Sequence, residues 1–148
     1  MSEPPEETRQ EYPHLAQIAT RWMDNDTYGH VNNVVYYSYF DSLINAYLIN
    51  VGGHDIARGE AIGVAVESSC RFHCELSFPE VIDACLRVAH LGNSSVRYEI
   101  GLFRQGSEKP AATGYFVHVF IDRQTRRPRP ISDTVRAALE RIRVPGPA

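Results

Sequence analysis

Apolar residues recur at three- and four-residue steps from Tyr36 through Phe40, Leu43 and Tyr47 to Val51, while Ser38, Asp41, Ser42 and Asn45 gather on another face. That period is helical, although V-V-Y-Y-S-Y-F taken alone has the β-branched and aromatic make-up of a strand. Period and length together predict a helix over 34–51, capped at its start by Asn32 or Asn33 and stopped at Gly52. Its apolar arc is wide, so most of the helix is expected to be covered by protein.

Around it the period changes to two. His14–Met23 reads as a first strand. Ala61–Leu76 alternates, with Ile62, Val64, Val66, Cys70, Phe72, Cys74 and Leu76 on one face, interrupted by Ser68, and with Glu67, Ser69, Arg71, His73 and Glu75 on the other. Phe78-Pro79-Glu80 makes a break. Strands follow over Val81–His90, Ser95–Arg104 and Ala111–Asp122, the second with Val96, Tyr98, Ile100 and Leu102 inward and Arg97 and Glu99 outward. The last strand is apolar on both faces, so its second face is expected to meet another element or subunit. Ser132 caps a short final helix whose apolar side carries Val135, Ala138, Leu139 and Ile142. Short connections imply antiparallel neighbours, and one long helix against one large sheet makes an α+β fold in two layers. Residues 1–13, acidic and Pro-containing, are expected to be a disordered tail, 14–143 one domain, and 144–148 a frayed end.

Composition narrows the function classes. The chain has 148 residues, 43% of them hydrophobic, which suits a single globular domain. A formal charge of −3 makes no case for nucleic acid or a membrane surface as partner, and no apolar run is long enough to span a bilayer. The N-terminus is not a secretory signal. The three cysteines, Cys70, Cys74 and Cys85, cannot all pair and form no C-x-x-C, so buried free thiols in a cytoplasmic protein are expected, with no metal and no cofactor. His14, His54, His73, His90 and His118 are scattered and read as structural or surface residues.

The chemistry concentrates just before the long helix. Asp24-Asn25-Asp26-Thr27-Tyr28-Gly29-His30-Val31-Asn32-Asn33 packs two carboxylates, an imidazole and three amides into ten residues. Free N–H groups and the dipole of a helix N-terminus stabilise negative charge, as an oxyanion hole must. A nearby carboxylate can attack a carbonyl or activate a water. Asp and Asn are also ordinary turn and cap residues, so composition alone leaves both readings open.

The run Asp24-x-Asp26-x-x-Gly29-His30-Val31-Asn32-Asn33, followed by Tyr36 and an aromatic helix, resembles the signature of the hotdog-fold acyl-CoA thioesterases, in particular their 4-hydroxybenzoyl-CoA thioesterase-like branch. The resemblance covers about residues 14–142 and includes Val66–Phe72 and Pro130–Ser132. It implies a curled five-stranded antiparallel sheet wrapped around the long helix. It also implies hydrolysis of an acyl-CoA to free acid and CoA. The family's catalytic carboxylate falls on Asp26, as nucleophile or general base, and its oxyanion N–H on Asn33. His30 and Asn32 match the motif, and Asp24 is expected to hold the turn. The family joins protomers as homodimers or homotetramers with active sites between chains, which makes Glu67, Ser68 and Ser69 candidates from a partner strand, with Glu67 and Ser68 on opposite faces. Catalytic candidates are therefore Asp26, Asn33 and His30, and substrate-binding candidates Asn32, Tyr36, Glu67 and Ser69. Tyr28, Tyr37, Tyr39 and Phe40 are further candidates for an acyl pocket. For CoA phosphates the candidates are the turn Gly92-Asn93-Ser94 with Arg97, or the cluster Arg123, Arg126, Arg127 and Arg129. The alternative is a non-catalytic acyl-CoA-binding module on the same fold.

Overall fold

The computed structural model describes residues 8–145. The elements run β1 (His14–Ala19), α1 (Asn33–Asn50), β2 (Ala61–Phe72), β3 (Val81–Leu91), β4 (Ser95–Arg104), β5 (Ala112–Asp122) and α2 (Asp133–Arg141). The five strands form one sheet in the order β1-β3-β4-β5-β2, and every neighbouring pair is antiparallel. Consecutive β2 and β3 are not neighbours: β2 lies at one edge, and residues 73–80 carry the chain across to β3. A short connection here makes a crossover and not a hairpin, and that crossover passes the head of α1.

The helical period wins over the local strand propensity because α1 has a face to bury. Tyr36, Phe40, Leu43 and Tyr47 are buried as the spacing predicts, and Tyr39, Ile44 and Leu48 join them. They pack with Ile82, Leu86, Val96, Tyr98, Ile100 and Phe116 of the sheet in one core. The Asn32 side chain accepts from the Val34 N–H at 3.0 Å and caps the helix, a contribution of about 1 kcal/mol. Helix α2 closes the same core through Val135, Ala138 and Leu139, and the Tyr47 hydroxyl donates to the Ala138 carbonyl at 2.6 Å. Val51 is exposed, one residue past the helix.

Three expectations are corrected. The first strand ends at Ala19, and Trp22–Asp24 is a 3-10 turn. Residues 8–13 belong to the fold and not to a tail: Arg9–Glu11 make a 3-10 turn, Tyr12 is buried edge-on against Phe103, and Arg9 pairs with the buried Asp83 at 2.6 Å. Residues 1–7 and 146–148 lie outside the described residues. At the other end the Val144 N–H donates to Val88, so the domain runs past 143.

The third correction concerns β2. A register shift between Ala65 and Glu67 leaves Val66 without a cross-strand partner, and one extra residue reverses the parity of everything beyond it. Ile62 and Val64 pair with Ile121 and Val119, on the face opposite the buried Phe116, His118 and Phe120. Cys70 and Phe72 pair with Gly114 and Ala112 and turn toward α1. The apolar set is thus split between two faces. Cys70 and Cys74 are half-buried, and only Cys85 is fully buried; all three are free thiols.

Candidate active site

The turn before α1 is held by its own backbone. The Asp26 N–H donates to the His30 carbonyl at 2.9 Å, and the Gly29 N–H returns to the Asp26 carbonyl at 3.1 Å. Gly29 sits at φ +84, a left-handed conformation that glycine adopts without penalty. Asp24 holds this turn, as expected. It is 1% exposed, and its carbonyl accepts from the Asn32 N–H at 2.9 Å. Asp26 differs: it is half-buried, and Oδ1 accepts the Tyr28 N–H at 2.9 Å. That single bond orients the carboxylate and leaves acceptor capacity for water or substrate.

A cavity of about 440 Å³ opens beside this turn, lined by Asp26, Tyr28, His30, Val31, Asn33, Tyr36, Phe72, Cys74 and Glu75. Three segments build it: the turn with the first residues of α1, the end of β2, and the crossover. The Val31 N–H donates to Leu76 at 2.8 Å, and the Phe78 N–H donates to the Asn25 side chain at 3.1 Å, stitching turn to crossover. Asn33 is the first residue of α1, and among the described residues its N–H makes no hydrogen bond. It is one of the orphan donors of a helix start, beside the positive end of the dipole. The cavity floor is apolar: Tyr36 packs edge-on against Phe72 with centroids 5.0 Å apart. Burial pushes the Tyr36 phenol up to about 12, against a smaller opposite pull from the Leu76 backbone, so it stays neutral.

Asp26, His30, Asn33 and Tyr36 are therefore brought to one cavity. Asn32 spends its side-chain oxygen on the helix cap. Glu67 and Ser69 do not line it: they pair with Val117 and Tyr115 on the face away from α1, while Ser68, opposite Phe116, is on the helix side. Of the acyl-pocket tyrosines, Tyr28 lines the cavity, whereas Tyr39 and Phe40 are core. Arg123 and Arg129 are engaged elsewhere, Arg123 with the Gly59 and Ile56 carbonyls and Arg129 with Asp122 and Glu60. Among the described residues no group of His, Cys, Asp or Glu has the arrangement of a metal site.

The sequence profile of the thioesterase-like superfamily matches residues 20–139, spanning both the cavity and the sheet. The chain belongs to the thioesterase-like superfamily. Among solved structures, the PA5185 protein from Pseudomonas aeruginosa strain PAO1 is 49% identical, covering 97% of this chain and 100% of its own, with a TM-score of 0.94. The PA2801 protein of the same species is 27% identical over 86% of this chain and 98% of its own, with a TM-score of 0.79. The gentisyl-coenzyme A thioesterase BH1999 shares the fold at 22% identity, covering 85% of this chain and 99% of its own, with a TM-score of 0.74. No curated protein matches. The hotdog architecture expected from the D-x-D-x-x-G-H-V-N-N run is the one this superfamily member has.

Sequence reasoning missed Glu75 and Cys74 as cavity residues of the superfamily domain. The alternation carries both into a strand running to Leu76, but β2 ends at Phe72. His73 and Cys74 both donate their N–H to the Ala111 carbonyl, so the regular ladder stops there. The nearby Phe78-Pro79 break was the available signal that the strand ends early.

Proposed function

We propose that this chain hydrolyses the thioester of an acyl-CoA to the free acid and CoA. The observation that carries the reading is the pairing, in one cavity, of the oriented Asp26 carboxylate with the unbonded Asn33 N–H at the start of α1. The thioester carbonyl oxygen would accept from the Asn33 N–H, where the helix N-terminus favours the negative charge that develops on it. On the general-base route, Asp26 takes a proton from water, the water oxygen bonds to the carbonyl carbon, and the carbon–sulfur bond breaks to release the CoA thiolate. On the nucleophilic route, an Asp26 oxygen bonds to the carbonyl carbon, the carbon–sulfur bond breaks to release the CoA thiolate, and water then cleaves the mixed anhydride. The apolar floor of Tyr36, Phe72 and Val31 suits an acyl group. The gentisyl-CoA thioesterase of the same fold supports CoA as the thiol.

The working unit is a homodimer or homotetramer. β2 is a 12-residue edge strand, and Val66 at its bulge is 59% exposed. A long edge with exposed valines invites pairing with a second copy. In such a pair Ser68, on the helix side, is a better candidate than Glu67 or Ser69 to face a neighbouring cavity. Among the described residues no helix is long and apolar enough to cross a membrane. Free thiols favour a reducing compartment such as the cytoplasm.

A thiol-release assay over short, long, branched and aryl acyl-CoAs tests the activity. Turnover of at least one, lost in a folded Asp26→Ala protein, is the expected result. Binding without turnover across the panel would replace it with a non-catalytic acyl-CoA-binding module.

A further inference from the structure

The cavity carries a charge pattern that the hydrolytic scheme does not use. Its lining holds two carboxylates, Asp26 and Glu75, and one imidazole, His30; among the described residues no Lys or Arg joins them. Even a protonated imidazole leaves the balance negative. Two guanidiniums of neighbouring segments are committed elsewhere: Arg21 pairs with the buried Asp24 at 2.9 Å, and Arg104 pairs with Glu80 and donates to the Glu75 main-chain carbonyl at 2.7 Å. Glu75 is brought to the cavity by its backbone. His73 and Cys74 turn the chain on the Ala111 carbonyl after β2, and Val31 donates to Leu76, the residue after Glu75. Tyr36, 3% exposed, lies at the floor, and Glu75, its side chain 60% exposed and 2.9 Å from that of His30, stands at the mouth.

A carboxylate that settles on Tyr36 and Phe72 gives up its water and finds no cation there. It also faces Asp26 and Glu75, and like charges repel more strongly in a partly enclosed site than in bulk water. We propose that the cavity selects uncharged acyl groups and that Glu75 is a specificity-determining residue, repelling an acyl chain that ends in a carboxylate. The proposal rests on the hydrolytic reading above, with the acyl group on the apolar floor. It names one class of substrate, neutral acyl-CoAs, and excludes another, the CoA monothioesters of dicarboxylic acids. Such discrimination works by repelling the wrong partner, not by tighter contact with the right one. An ion pair as open to solvent as Glu75 with His30 adds little to stability, so variants at Glu75 are expected to fold.

Matched pairs of thioesters read the selectivity: hexanoyl-CoA with adipyl-CoA, and benzoyl-CoA with its para-carboxy counterpart. The CoA phosphates are common to both members of a pair, so the ratio of their kcat/KM values isolates the charge on the acyl group. The parent is expected to favour the uncharged member by at least about 10-fold. Glu75→Gln keeps the shape and removes the charge; it should narrow the ratio by roughly 3- to 10-fold, and Glu75→Lys should narrow it further. Added salt should narrow the ratio of the parent more than that of Glu75→Gln. A parent that turns over both members equally overturns the proposal, as does a ratio that stays fixed across the parent and both variants. Uncleavable thioether analogues of the same compounds, titrated by calorimetry, separate this outcome from failure of the hydrolytic reading. If no thioester is turned over but the dissociation constants show the same charge-dependent ratio, hydrolysis falls and the selectivity stands. Equal or absent binding in that case would end both.

Discussion

The Tyr39 hydroxyl donates to Asp24 Oδ2 at 2.7 Å, tying the second turn of α1 to the turn that precedes it. The same carboxylate accepts from the Arg21 N–H at 2.9 Å and from the Arg21 guanidinium at 3.0 and 2.9 Å. Burial by itself raises the Asp24 carboxyl, but the bonds from Tyr39 and Arg21 outweigh it and hold the group below the usual carboxylate range. The Asp24 carbonyl carries the helix-cap residue Asn32, so this buried anchor sets where the Asn33 donor sits.

Removing that anchor is expected to cost stability before chemistry. Asp24→Ala leaves the Tyr39 hydroxyl unpaired in the core, a loss of about 1–3 kcal/mol in denaturant melts, whereas Tyr39→Phe costs about 1 kcal/mol. The two losses should be less than additive, because each removes the same bond. A depressed folded-state pKa contributes stability that is complete above the ordinary carboxylate value near 4 and is lost as pH falls through the lowered one. Asp24→Asn should therefore flatten the acid limb only below about pH 4.

The helix, its cap and the turn chemistry were legible because each rests on local rules: the period of Tyr36, Phe40, Leu43 and Tyr47, the side-chain oxygen of Asn32, the freedom of Gly29. Ser95–Arg104 was legible for the same reason, with Val96, Tyr98, Ile100 and Leu102 buried as predicted. What stayed hidden depends on non-local geometry. A single bulged residue, Val66, reverses the parity of Glu67–Phe72, and no property of valine announces it. Tyr12 reads as part of a polar tail until Phe103 and Arg87 provide a surface to cover. Glu75 becomes a cavity residue only because the crossover runs beneath His30.

Asp26 is the sharpest functional test. Its side chain makes one hydrogen bond, to the Tyr28 N–H, so Asp26→Asn should fold with a change within about 1 kcal/mol. Thioester turnover should fall by at least ~100-fold, the scale of a lost base or nucleophile. Undiminished turnover in the folded variant would remove Asp26 from the mechanism. Single turnover in heavy-oxygen water distinguishes the two routes, since label entering the Asp26 carboxyl requires the anhydride.

Close packing beneath β2 can be probed at Gly114. A Cβ there would stand 2.3 Å from the Ser69 carbonyl oxygen and 2.5 Å from the Phe40 ring. Neither can yield cheaply, the first being backbone and the second a fully buried core ring. Gly114→Ala is expected to destabilise by about 1–3 kcal/mol or more, read as a lower denaturation midpoint.

The exposed edge predicts assembly. Val66→Asp places a charge at the bulge of β2 without entering the core, because the side chain is already exposed. Light scattering is expected to show an oligomer for the parent and a shift to monomer for the variant, with unchanged circular dichroism. A parent that is monomeric at assay concentration would end the proposal that a second copy walls the site.

Acid sensitivity should trace chiefly to one buried histidine. His118 is 3% exposed, with Nδ1 3.2 Å from the Tyr98 hydroxyl and its ring edge-on to Phe116, Phe120 and Tyr98. Burial pushes its pKa down to about 4, with a smaller upward pull from Asp41 and a downward one from His54. In the unfolded chain the same imidazole titrates near 6.5. Between those values the unfolded state holds a proton that the folded state refuses, so stability is complete above pH 6.5 and falls as pH drops toward 4. The slope approaches about 1.4 kcal/mol per pH unit for one proton. Burial lowers His54 and His14 as well, adding to the same window. His118→Gln removes the titration while keeping a polar partner for Tyr98. Its unfolding free energy should change less between pH 6.5 and 4 than that of the parent, even if it is lower at neutral pH. Parallel pH profiles for the two proteins would mean that His118 is not the group responsible.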